Sequence, residues 1–125
     1  MKTKMILLLI VFSLGLWPAV VRAETSTKSS NGVKAVLKTD PAKKMVDLFL
    51  SELPGGKDIT DAKVTASVTF PDGRKVEKDL IGMKMGEAYS FMNSLDMSKP
   101  GRYSFDIAIK KSGKSIKFEF IQNIP

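Results

Sequence analysis

From Val33 onward, apolar and polar residues alternate with a period of two, the signature of strands that bury one face. Val33, Ala35 and Leu37 alternate with Lys34, Val36 and Lys38 until Asp40-Pro41 ends the run. Met45 to Leu53 is more continuously apolar, as expected of a strand in the middle of a sheet, and Pro54-Gly55-Gly56 breaks it. Lys63 to Phe70 sets Val64, Ala66, Val68 and Phe70 against Lys63, Thr65, Ser67 and Thr69, then runs into Pro71-Asp72-Gly73. Proline presets φ there, aspartate bonds its own backbone and glycine accepts a positive φ, so a tight hairpin is predicted. Its return strand is Lys75 to Ile81, with Val76 and Leu80 inward. Glu87 to Asn93, holding Tyr89, Phe91 and Met92, reads as a fifth strand. Arg102 to Lys110 puts Tyr103, Phe105, Ile107 and Ile109 on one face, and Ser112-Gly113 turns the chain into Ser115 to Ile121. No segment carries a helical period. About seven short strands with turn signals between them predict an all-β, immunoglobulin-like (Greek-key) β-sandwich of antiparallel strands. Within it, Pro100-Gly101-Arg102-Tyr103 delivers a tyrosine to the start of the sixth strand. Its hydroxyl is expected to bond back to upstream backbone.

The segment ahead of this pattern has a different logic. Lys2 and Lys4 precede an apolar run from Met5 to Leu16, and Val21-Arg22-Ala23 presents small residues at the positions a signal peptidase reads. Residues 1–23 are therefore expected to be a cleaved signal peptide, residues 24–32 a flexible polar tether and residues 33–125 the β-sandwich domain. N-terminal sequencing of the exported protein is expected to begin at Glu24; intact Met1 in washed membranes would make it an anchored protein instead. Without cysteine there is no site for a lipid anchor, so no stable membrane anchor is expected after cleavage. The protein is expected to be exported, periplasmic or secreted.

Loss of Lys2, Lys4 and Arg22 with the leader lowers the net charge from +7 to +4. The remaining cations are mostly lysine and are spread along the chain, a pattern that keeps strand edges soluble and does not describe a nucleic-acid groove. The group Lys110, Lys111, Lys114 and Lys117 around the last hairpin reads in the same way.

The chain has neither histidine nor cysteine, which removes the commonest general base, the usual zinc ligands and thiol nucleophiles. No serine sits in a nucleophile elbow, and the expectation is that the protein is not an enzyme. Asp58 and Asp61 fall short of the six to eight oxygens calcium takes and read as loop residues. Methionine is what remains. Met83, Met85, Met92 and Met97 lie within fifteen residues, and a thioether is a soft ligand that suits Cu(I). Methionine also fills irregular core gaps well, and packing is the reading adopted for Met92, with Met83 and Met85 left open because Gly82 and Gly86 blur their face.

Ile59-Thr60-Asp61-Ala62-Lys63-Val64, then Val68-Thr69-Phe70-Pro71-Asp72-Gly73, then Lys99-Pro100-Gly101-Arg102-Tyr103 resemble the YtkA-like family of small exported domains over roughly residues 33 to 121. The resemblance implies an immunoglobulin-like sandwich outside the cytoplasm, with occasional links to metal handling or membrane transport. Tyr103, Gly101, Pro71, Asp72 and Gly73 are the structural positions it shares. Periplasmic copper-carrier sandwiches are a second likeness, but they use histidine for Cu(II), and this chain has none. The sequence thus leads to a non-enzymatic binding or accessory module with an envelope or membrane protein partner, no nucleic acid and no cofactor. The alternative is a periplasmic Cu(I)-binding protein using Met83, Met85, Met92 and Met97. Oligomeric state is not legible.

Overall fold

A computed structural model describes residues 24–125. The expected signal peptide, residues 1–23, lies outside them. Eight strands follow one another: β1 (Glu24–Ser30), β2 (Val33–Asp40), β3 (Met45–Glu52), β4 (Lys63–Thr69), β5 (Lys75–Met85), β6 (Ala88–Ser94), β7 (Gly101–Lys111) and β8 (Lys114–Ile124). They pair in the order β1-β2-β3-β6-β5-β4-β7-β8, every pair antiparallel. β5 belongs to both layers of the sandwich. Its first part pairs with β4 as far as Leu80, and from Ile81 it pairs with β6. One layer is thus β1, β2, β3, β6 and the end of β5, and the other is the start of β5, β4, β7 and β8.

The inward residues are those the alternation marks. Val33, Ala35 and Leu37 meet Val46, Leu48 and Leu50 from one layer, and Val64, Ala66, Val68, Tyr103, Phe105, Ile107, Phe118 and Phe120 come from the other, all in one buried cluster. Burying aliphatic and aromatic side chains of this kind contributes roughly 1.5–3 kcal/mol each, offset by the conformational entropy lost in ordering the chain.

Two expectations are corrected. Residues 24–30 are a strand and not a tether: β1 pairs with β2 from Glu24↔Thr39 to Ser30↔Val33. Asn31 (φ +50°) and Gly32 (φ +76°) both occupy the left-handed region, the requirement of the two-residue hairpin turn whose twist matches its strands. β1 is polar because it is an edge strand with little apolar surface to bury. The strand count is accordingly eight, not seven.

β8 also continues past Ile121 to Ile124, carrying Gln122 into the interior. Its amide Nε2 donates to Ser26 Oγ (3.2 Å) and to the Leu37 carbonyl (3.4 Å), while Thr39 Oγ1 donates to its Oε1. These bonds tie the end strands β1 and β8 together where no backbone ladder joins them, so the sandwich is nearly closed. A buried amide left unpaired would be costly; this one is satisfied.

The two predicted turns form as expected and meet. In the β4–β5 hairpin the Gly73 amide donates to the Phe70 carbonyl (2.9 Å), Phe70 to the Arg74 carbonyl (2.8 Å), and Arg74 to Asp72 Oδ1 (3.0 Å). That amide bond, then Lys99 at 3.2 Å, holds the Asp72 carboxyl below its ordinary range. Gly101 has φ +133°, and a Cβ there would lie 2.8 Å from Pro71 Cβ, so only glycine fits where the turns touch. Tyr103 is fully buried, its ring 5.2 Å from that of Phe70, and its hydroxyl donates to the Lys99 carbonyl at 2.7 Å. Burial pushes its phenol above the ordinary range. Tyr103→Phe is expected to cost about 1–2 kcal/mol, because the partly buried hydrogen bond to the Lys99 carbonyl is lost; a urea midpoint equal to that of the wild type would contradict this.

Candidate metal centre

The end of β5 decides where the methionines go. Gly82 lies on the inner side, where an added Cβ would sit 2.9 Å from the Tyr89 ring. With Gly82 and Lys84 on that side, Ile81, Met83 and Met85 must face outward, because successive residues of a strand alternate. They are 57%, 47% and 51% exposed, three of the five large exposed hydrophobics among the described residues. A row of such residues on one strand face marks an interaction or ligand surface more strongly than scattered ones.

β6 lies beside this stripe and β3 beyond it. Pairing sets Ile81 opposite Met92, Met83 opposite Ser90 and Met85 opposite Ala88, and then Asp47 opposite Met92 and Met45 opposite Ser94. Directly paired residues share a face, so Met45 and Asp47 of β3, Ser90 and Met92 of β6, and Met83 and Met85 of β5 all look the same way. Met83 and Met92 are diagonal neighbours, with a separation of about 7–8 Å between such backbone positions, and unbranched thioethers reach across it. Met45 stands in the same diagonal relation to Met92. Met85 is one step of about 6.5–7 Å further along β5, at the rim beside the Gly86 turn.

Asp47 sits within this set, half-buried, and Ser90 Oγ donates to its Oδ1 at 3.3 Å. Ser90 is buried even though it points to the outer face, so the surrounding side chains shield the pair. Among the described residues no hydrogen bond or ion pair engages Asp47 Oδ2. The donor set is therefore soft sulfur with one oriented carboxylate, and it contains no nitrogen.

The structure separates the four methionines named from the sequence. Met83, Met85 and Met92 share the outer face, whereas Met97 is 1% exposed and packs in the core beyond the end of β6. Packing, the reading adopted for Met92, belongs instead to Met97; Met92 is half-buried on the outer face. Met45 and Asp47 were missed. Their signal was present in the alternation of Met45-Val46-Asp47-Leu48-Phe49, whose odd positions oppose the buried Val46 and Leu48. Asp58 and Asp61 are exposed, Asp61 lying 3.9 Å from Lys111, and no group of three histidine, cysteine, aspartate or glutamate side chains could hold an ion among the described residues.

No protein-family model matches the sequence, and no curated protein matches it significantly. The fold does have solved counterparts. FetP from uropathogenic Escherichia coli strain F11, recombinantly expressed in the periplasm of a second Escherichia coli strain, superposes with a TM-score of 0.64 at 14% identity over 83% of this chain and 98% of its own. The copper-reconstituted P19 protein of Campylobacter jejuni gives 0.66 at 10% identity over 82% and 96%. A DUF4426 family protein from Pseudomonas aeruginosa gives 0.65 at 15% identity over 79% and 96%. At these identities the likeness is one of fold. A glutamate-to-glutamine variant of FetP has also been solved with copper bound, and these copper-bound counterparts overturn the expectation of a domain without a cofactor. That expectation rested on the missing histidines and ranked core filling by the methionines above their alternative role as Cu(I) ligands.

Proposed function

We propose that this protein is an exported, non-enzymatic Cu(I)-binding protein of the cell envelope that holds the ion on the outer face of β3, β6 and β5. Met83 and Met92 are the principal ligands, Met45 and Met85 the thioethers within reach of the same face, and Asp47 the negative charge beside them. The observation that carries this reading is the strand register, which gathers sulfur ligands from three strands around one serine-oriented carboxylate. Soft thioether sulfur suits Cu(I) and disfavours the harder divalent ions, and the missing histidines count against a Cu(II) site. The copper-bound proteins of the same fold support the reading, and the charged and apolar leader pattern of residues 1–23 supports the location. The two long connections, β3 to β4 and β6 to β7, support Greek-key winding of the immunoglobulin-like kind.

Anaerobic titration with Cu(I) against a colorimetric chelator tests the function: sub-micromolar affinity for one ion is expected, and no competition with the chelator would end the copper reading. The second reading, a protein-binding module, draws on Ile81, which is more exposed than either β5 methionine and has no ligand chemistry. Capture of an envelope protein that is lost in Ile81→Ser, with no Cu(I) affinity in the wild type, would favour it.

A further inference from the structure

We propose that the end of the sandwich formed by the β7–β8 hairpin, the start of β4 and the loop after β3 docks reversibly on an anionic phospholipid surface. Pairing sets Lys63 opposite Lys110 across β4 and β7, and Lys111 opposite Lys114 across β7 and β8. Lys117 is the diagonal neighbour of Lys110 on the same outer face. Like charges directly opposite each other work against a sheet, so two such pairs at one end call for a counter-charge. Lys111 has it, from Glu52 at 3.8 Å and Asp61 at 3.9 Å. Lys63, Lys110, Lys114 and Lys117 are exposed and form no ion pair among the described residues, while two of the acids nearby are occupied by Lys111.

An apolar group accompanies these amines. Leu53 is 43% exposed and leads into the exposed Pro54-Gly55-Gly56 turn. It lines a crevice of about 360 Å³ with Lys111, Lys114, Val33, Ile59 and Ile116. Ammonium groups around a projecting leucine match the chemistry of a bilayer interface, where phosphates meet the amines and the apolar tip enters the headgroup boundary. The cations here are all lysine. Arg74 and Arg102, with the planar forks suited to fixed phosphate geometry, lie at the opposite end, which favours a diffuse phosphate surface over a single bound phosphate.

Residues 24–125, the exported form expected from the sequence, hold the buried cluster of the described residues and serve for the test. Co-sedimentation with phosphatidylglycerol–phosphatidylcholine vesicles is expected at low salt, with none on phosphatidylcholine alone. Removing one lysine from such a patch weakens partitioning about fivefold, so Lys63→Gln, Lys110→Gln and Lys114→Gln together should weaken it roughly 100-fold. Lys43→Gln, Lys75→Gln and Arg102→Gln remove the same charge elsewhere and should leave most of the binding. Equal loss in the two triple variants would reduce the effect to net charge and overturn the proposal, as would no binding by the wild type. The chain's single tryptophan, Trp17, lies outside residues 24–125, so Leu53→Trp provides the sole indole of this fragment. Its emission should shift to the blue on anionic vesicles, and an unshifted spectrum with bound protein would overturn the leucine's role. Retention by a soluble anionic polysaccharide with no vesicle binding would replace the bilayer with a glycan.

Discussion

Replacing Met97 by alanine is expected to destabilise the protein by about 2–5 kcal/mol, read as a lower urea midpoint at unchanged slope. Met97 lies in the stretch between β6 and β7, where no ladder holds the backbone, and only Leu95 and Met97 are buried there. Asp96 and Ser98 face solvent, Asp96 Oδ1 accepting from the Ser98 amide at 3.0 Å, and the Leu95 amide donates to the Lys44 carbonyl at 2.9 Å. Two apolar side chains thus pin a connection that crosses from one layer to the other. Removing one leaves a cavity and loosens the segment that presents the Lys99 carbonyl to Tyr103. Folded domains have only about 5–15 kcal/mol to lose, so this is a large fraction. Met97→Leu keeps most of the volume and should cost less than about 1.5 kcal/mol. Met92→Ala, on the half-buried outer face, should cost no more than about 1 kcal/mol, the ordinary scale for a point mutation. An unmoved midpoint in Met97→Ala would show that the side chain contributes no packing.

β2 to β8 were legible because each buries one face, and burial writes a period of two into the sequence. β1 buries little and so left no such trace; its one signal was the Asn31-Gly32 pair, a hairpin turn that needs a strand on each side. The end of β8 was missed for a related reason: Gln122 breaks the apolar alternation, yet occupies an inward position because Thr39, Ser26 and Leu37 satisfy its amide. The candidate site was half-legible. Parity along β5 gives Met83 and Met85 one face, but the partnership with Asp47 and Met45 exists only once β6 lies between β5 and β3, and that order depends on two long connections. Closeness in sequence misled for Met97, which lies beyond the end of β6 and follows the core instead of the face.

Met83→Leu combined with Met92→Leu is expected to weaken Cu(I) binding by at least about 100-fold, equivalent to roughly 2.8 kcal/mol, with little change in thermal midpoint. Both side chains lie on the outer face, Met83 about half exposed and Met92 half-buried, so neither fills the core. Leucine keeps nearly the same volume and lacks the sulfur lone pairs, which separates coordination from packing. Met97→Leu is the internal control: the same exchange in the same chain, on a residue buried away from the face, should leave the affinity unchanged. Asp47→Asn keeps an oxygen to accept from Ser90 Oγ and removes only the charge, so it should weaken binding less than the double substitution. Met85→Leu, at the rim, should have the smallest effect of the β5 and β6 methionines. If Met97→Leu and the double variant lost affinity to the same degree, the ion would be responding to global loosening and not to the outer face. If the double variant bound as tightly as the wild type, the ligands would have to be sought elsewhere, first at Met45 beside Asp47 on β3.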